Sequence, residues 1–86
     1  MIKITKELLS RWFDKVNNEF FNNELRKPDF VITHNRGYFG QFRPSTWTID
    51  ISIYWIRSER DYMNTLIHEC CHCYVRQKYG YRVQSH

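Results

Sequence analysis

The chain has 86 residues, with 13 basic and 9 acidic side chains and a formal net charge of +4 at pH 7. This length predicts one domain with a small core, to which a bound metal ion would add stability. The basic residues form no dense tract, so the charge is compatible with a phosphate-bearing partner but does not identify a nucleic-acid binder. No stretch approaches the ~18 continuous apolar residues of a membrane span, and residues 1–6 lack the apolar core of a signal peptide. We therefore expect no membrane partner.

Three cysteines, Cys70, Cys71 and Cys73, are crowded within four positions. An odd, clustered set makes a poor disulfide framework, which favours the cell interior: the cytoplasm, or the nucleus if the source is eukaryotic. We expect Cys70 and Cys71 to be small buried residues of a helix.

An N-terminal helix is predicted over about residues 6–22. Thr5 is suited to cap it, and the Asn22-Asn23 pair followed by Pro28 is suited to end it. Its apolar residues recur at helical spacing: Leu9, Trp12, Phe13, Val16 and Phe20.

Three short strands are predicted next, at about residues 30–34, 38–43 and 47–53. The third alternates apolar and polar residues, which indicates a strand with one buried face. The sequence therefore predicts a three-stranded antiparallel meander. Gly40, inside the second strand, indicates a bulge or a close packing contact.

A second helix is predicted over about residues 59–79. Ser58 and Asp61 resemble a capping box, and Gly80 follows the last turn. The order is helix, three strands, helix and a short C-terminal tail, so the predicted fold class is α+β.

Residues 68–72 of this helix read H-E-C-C-H, an H-E-x-x-H motif. Two histidines four residues apart lie on one helical face, so His68 and His72 can bind one metal ion. Glu69 lies between them and can act as general base on a metal-activated water, which is the zinc chemistry of a metallopeptidase.

A catalytic zinc needs a third protein ligand. Val75 and Lys78 occupy the positions where a longer motif would have glycine and histidine, and no carboxylate follows Glu69. Gly80 allows the chain to turn back over ~20 Å, which makes His86 the preferred third ligand. Two alternatives stay open: His86 is only a terminal residue, or His34 takes its place.

The chain resembles the SprT-like family of Spartan-related zinc metallopeptidases over nearly all its length. Residues 19–25 are similar to the family's F-N-x-x-L segment, and residues 51–53 to its I-x-L-S stretch. Residues 66–72 resemble its L-x-H-E-x-x-H motif. The final residues, 79–86, resemble its glycine followed by a third histidine. Gly40 falls in the strand where the family also carries a glycine.

This resemblance implies a zincin-like minimal core in which His68, His72 and His86 bind Zn²⁺ and Glu69 is the catalytic base. It implies a zinc-dependent endopeptidase that cleaves proteins or peptides inside the cell, including proteins associated with DNA. The family continues beyond the third histidine, often with a Cys-rich zinc ribbon. Residues 1–86 are therefore expected to be a single SprT-like core domain without that ribbon, either truncated at the C-terminus or a minimal member.

Two other functions remain open from the sequence. The chain could be a non-catalytic metal- or nucleic-acid-binding module on the same scaffold. It could also be an inactive fragment of a larger peptidase, with its histidines on a helix surface and no metal bound.

Overall fold

The computed structural model describes residues 2–55 and 57–80. Two helices flank three strands in the chain order α1, β1, β2, β3, α2. Their bounds are α1 Lys6–Phe21, β1 Asp29–Thr33, β2 Gly40–Arg43, β3 Thr48–Ser52 and α2 Glu59–Tyr79. The predicted α+β class and both predicted helices are confirmed. No helix in these described stretches has the length and apolar character that crossing a membrane requires.

Helix α1 begins and ends at the predicted residues. The Thr5 hydroxyl accepts a hydrogen bond from the Leu8 backbone N–H at 3.1 Å, which satisfies one unpaired donor of the first turn. Asn22 ends the helix in the left-handed conformation, with φ of 55°, which asparagine tolerates better than most residues. The buried face of α1 contains Leu9, Trp12, Phe13, Val16 and Asn17.

The three strands form one mixed sheet in the order β1-β3-β2. β3 is parallel to β1 and antiparallel to β2. This corrects the predicted antiparallel meander, in which the second strand would have been central. The connection between β1 and β2 therefore passes from one sheet edge to the other and leaves the centre to β3.

β3 pairs with a strand on each edge, and both of its faces are buried. Ile49 and Ile51 are fully buried on one face, as the alternation predicted. The polar residues Asp50 and Ser52 on the other face are also fully buried, although the sequence pattern had suggested a solvent-facing side. Arg43 pairs with the Asp50 carboxylate at 2.6 Å, and the Ser52 hydroxyl donates to the Asn35 carbonyl at 2.6 Å. These bonds satisfy the Ser52 hydroxyl and one carboxylate oxygen of Asp50, which would otherwise be costly to bury, whereas Asp50 Oδ1 accepts no hydrogen bond from the described residues.

Both helices pack on the Ile49 face of the sheet. Phe13 of α1 meets Phe30 of β1 edge-on, with ring centroids 6.1 Å apart. Ile49 of β3 pairs with Phe30 of β1 and lies at the centre of that face. α2 packs over β2 and β3, with its buried residues against the sheet. The helix therefore runs beside β2, which is an edge strand.

Candidate metal centre

Helix α2 places the H-E-x-x-H motif in its middle turns. The predicted capping box is present: the Ser58 hydroxyl accepts from the Asp61 N–H at 3.1 Å, and the Asp61 carboxylate accepts from the Ser58 N–H at 3.3 Å. Gly80 follows the last turn with φ of 77°, a conformation suited to glycine. Both ends of the helix are capped, and the motif lies between them in regular helix.

The two motif histidines meet on the outer face of this helix. The Nε2 atoms of His68 and His72 lie 3.2 Å apart, and their ring centroids are 4.7 Å apart. His68 is exposed and His72 is half-buried. Both rings therefore present a nitrogen to the same point of space.

The nitrogen separation fits a shared zinc ion. Two nitrogens bound to one tetrahedral zinc lie about 3.3 Å apart, given Zn–N bonds of about 2.0–2.1 Å. The observed 3.2 Å agrees with this geometry. Within residues 2–55 and 57–80, no group of three or more His, Cys, Asp or Glu side chains is arranged to hold a metal. The predicted third ligand, His86, lies outside the described residues.

Glu69 lies beside the histidine pair but points toward the sheet. Its side chain is 5% exposed. Gly40 of β2 is its close neighbour, because a Cβ built on Gly40 would lie 3.4 Å from the Glu69 Cγ. The close packing contact predicted for Gly40 is therefore present, and it brings the β2 backbone next to the motif glutamate.

A cleft of about 510 Å³ lies between β2 and α2, with the motif in its wall. On the β2 side it is lined by Gly40, Gln41 and Phe42, and on the α2 side by His68, Glu69 and His72. Tyr38, Pro44, Val75 and Arg76 complete the lining. The geometry thus combines two imidazole nitrogens that face one point and a buried carboxylate in the wall of one cleft.

The cysteines of α2 are divided between core and surface. Cys70 and Cys73 are fully buried, whereas Cys71 is exposed, so the burial predicted for Cys71 is wrong. Burial raises the pKa of the Cys73 thiol to about 12 and also raises the pKa of the Cys70 thiol. Both side chains are packed within the hydrophobic core.

An α+β chain that carries an H-E-x-x-H helix beside the edge of its sheet has the arrangement of a metallopeptidase-like domain. A sequence model of the SprT-like family matches residues 9–86. The protein therefore belongs to the SprT-like family, as the sequence resemblance predicted. No curated protein and no solved structure matches the chain.

One part of the site was not found from the sequence. Phe39 is 53% exposed and lines a second cavity with Arg57 beside the motif. The aromatic and basic residue types were visible in the sequence. The contact between Phe39 and Arg57 depends on how the turn before β2 lies against the start of α2, which no local pattern specifies.

Proposed function

We propose that this chain is a zinc-dependent endopeptidase. His68 and His72 would hold the metal through their Nε2 atoms, and Glu69 would be the general base. The observation that carries the proposal is the 3.2 Å separation of the two nitrogens, next to a buried carboxylate in the wall of one open cleft. Membership of the SprT-like family supports the same assignment.

Zinc bound at this position would act as a Lewis acid and bring the pKa of a water molecule toward about 7. The Glu69 carboxylate takes a proton from the attacking water as the water oxygen bonds to the substrate carbonyl carbon. Glu69 then gives this proton to the amide nitrogen as the carbon–nitrogen bond breaks. Glu69 lines the cleft, and its Cγ lies close to the Gly40 backbone.

His86 is proposed as the third ligand. The argument rests on the sequence: after Glu69 the chain offers no Asp or Glu, and His86 is the only histidine that follows His72. A His86→Ala variant should therefore bind zinc more weakly, whereas a His34→Ala variant should bind it as the parent chain does. The reverse result would assign the third position to His34.

The proposed substrate is an extended stretch of protein or peptide lying in the cleft. We extend the proposal to proteins associated with DNA, which the formal charge of +4 supports because it favours approach to nucleic acid. Binding of the chain to single-stranded DNA should then weaken steeply as salt rises. Salt-independent binding, or none, would remove DNA from the proposal and leave the peptidase assignment untouched.

The deciding experiment compares the parent chain with Glu69→Gln and Glu59→Gln, all with zinc content measured. Glu69→Gln should keep its zinc and lose proteolysis of an unfolded protein by at least about 100-fold. Glu59 is an exposed carboxylate in the first turn of the same helix, so Glu59→Gln should retain activity. A zinc-loaded parent chain that cleaves nothing would favour the non-catalytic metal-binding module.

A further inference from the structure

A cluster of exposed aromatic rings lies at one end of the motif helix. It consists of Phe39, Tyr54 and Trp55, which are 53%, 44% and 43% exposed. Within the described part of the chain, these are three of six large hydrophobic side chains with high exposure, and Trp55 contacts each of the other two. The Phe39 and Trp55 centroids are 6.4 Å apart and those of Tyr54 and Trp55 are 4.9 Å apart, both edge-on. We refer to these three rings as the aromatic shelf.

Arg57 packs against Phe39, one ring of the shelf. Its guanidinium carbon lies 4.3 Å from the Phe39 ring centroid and 4.8 Å from the Tyr62 ring centroid. Its Nη2 donates to the Asp61 carbonyl at 2.8 Å and also to the Thr65 hydroxyl. The Phe39 ring is therefore exposed to solvent on one side and fixed by a cation–π contact on the other. A fixed, exposed ring loses little conformational freedom when a ligand covers it.

The shelf borders the candidate metal centre through Phe39. A second cavity is lined by Phe39, Arg57 and Thr65 and shares Gly40, His68 and Glu69 with the main cleft. The main cleft runs along the later turns of α2, toward His72 and Arg76, whereas the second cavity runs along the earlier turns, toward Asp61. The two form one groove between β2 and α2, with His68 and Glu69 at their junction.

We propose that the aromatic shelf is a side-chain subsite of the proposed peptidase and that it accepts a Phe, Tyr or Trp residue of the substrate close to the scissile bond. This inference rests on the proposed function, because it treats the groove as the path of a peptide. An aromatic side chain suits the shelf because it buries a large apolar area and forms edge-on contacts with the exposed rings. Binding there would place the neighbouring peptide bond beside Glu69.

The contacts favour a peptide over single-stranded nucleic acid. Nucleic acid requires ring faces open to successive bases and cations along the phosphates. The shelf rings instead meet one another at 80° and 83°. Arg57 is enclosed by the Phe39 and Tyr62 rings, and Arg36, 6.0 Å from the Tyr54 ring centroid, is a single exposed cation rather than a row along a phosphate backbone.

The test is cleavage-site profiling with a peptide library prepared by digesting a denatured proteome. The zinc-loaded chain should select an aromatic residue at one fixed position relative to the cleaved bond, about tenfold over its background frequency. Phe39→Ala and Trp55→Ala should abolish that preference and leave other positions unchanged. Phe20→Ala removes an equally exposed ring from α1, far along the chain from the groove, and should keep the preference. An aromatic preference that persists in Phe39→Ala and Trp55→Ala, or none in the parent chain, would overturn the subsite.

A binding experiment separates this inference from the proposed function. Immobilised Glu69→Gln chain should retain aromatic peptides of the same library about tenfold over others, and adding Phe39→Ala should remove this enrichment. That result supports the subsite even if the parent chain cleaves nothing, in which case the peptidase assignment alone fails. Equal retention of all peptides overturns the subsite. The subsite is also overturned if a 20-residue oligothymidine binds in a Phe39-dependent manner and displaces no peptide.

Discussion

The Gly40 backbone of β2 packs directly against the Thr65 side chain of α2. A Cβ built on Gly40 would lie 2.7 Å from the Thr65 Cγ2 and 3.3 Å from the Asp50 carbonyl oxygen. The Gly40 backbone is not in the positive-φ region, so the residue is required by space and not by conformation. The absence of a side chain here sets the width of the groove in which Glu69 lies.

A Gly40→Ala variant is expected to lower the free energy of unfolding by about 1–3 kcal/mol, because the added methyl overlaps Thr65. Alanine in a strand would otherwise stabilise by roughly 0.5–1 kcal/mol, so a net loss identifies the overlap. Thr65→Ser removes the Cγ2 and keeps the hydroxyl that accepts from Arg57. The double variant should recover most of the loss in urea unfolding. A double-variant loss equal to the sum of the single losses would contradict the contact.

Removing either motif histidine is expected to abolish tight zinc binding. His68→Ala and His72→Ala each delete one of the two nitrogens that lie 3.2 Å apart, so the zinc affinity should fall by more than about 100-fold. Competition with a chromophoric chelator measures this affinity. Cys71→Ala is the matched control, because Cys71 is an exposed residue of the same helix. One zinc per chain in either histidine variant would refute the two-histidine centre.

Asn17 is expected to be essential for the turn between α1 and β1. Its buried amide donates to the Leu25 carbonyl at 3.1 Å and accepts from the Leu25 N–H at 3.0 Å. Asn17→Ala leaves both backbone groups unpaired and should cost about 1–3 kcal/mol of unfolding free energy. Asn18 is exposed, so Asn18→Ala should change stability little. Equal unfolding midpoints for the two variants would show that water replaces the Asn17 bonds.

Stability is expected to fall at alkaline pH because of the buried thiols. Burial raises the pKa of Cys73 from 9.0 to about 12 in the folded chain, so the folded state holds this proton more tightly than the unfolded state does. The stabilising contribution is complete below pH 9 and is lost progressively as the pH rises toward 12. Urea unfolding of metal-free chain between pH 8 and pH 11 measures the slope, which should be smaller in Cys73→Ala. Identical slopes would show that Cys73 does not cause the loss.

The helices were predictable from the sequence, whereas the order of the strands was not. Thr5 and Ser58 cap the two helices as predicted, because capping depends on residues three positions apart. Strand order depends on which neighbours cover a face. The buried state of Asp50 required Arg43 and Tyr38, whose side chains reach its carboxylate across the sheet. The alternation of β3 showed which residues share a face but not that both faces would be covered.

The candidate site was predictable where it depends on helix geometry alone. The four-residue spacing of His68 and His72 is sufficient to bring their nitrogens together. The burial of Glu69 and the position of Phe39 depend on how β2 lies against α2, which involves residues far apart in the chain. The assignment of His68, His72 and His86 as zinc ligands stays a prediction that metal analysis must test.

The strand order also determines when the sheet can form during synthesis. Both pairs of strands in the sheet include β3, and β1 and β2 do not pair with each other. A nascent chain that has emerged only as far as residue 47 therefore contains two strand segments but no strand pair. Both pairs must wait for β3, because the β2 register extends to Ile51 and the β1 register extends to Ser52. Until then the apolar side chains of α1 have no sheet to cover them, which makes the partly synthesised chain a candidate for chaperone binding.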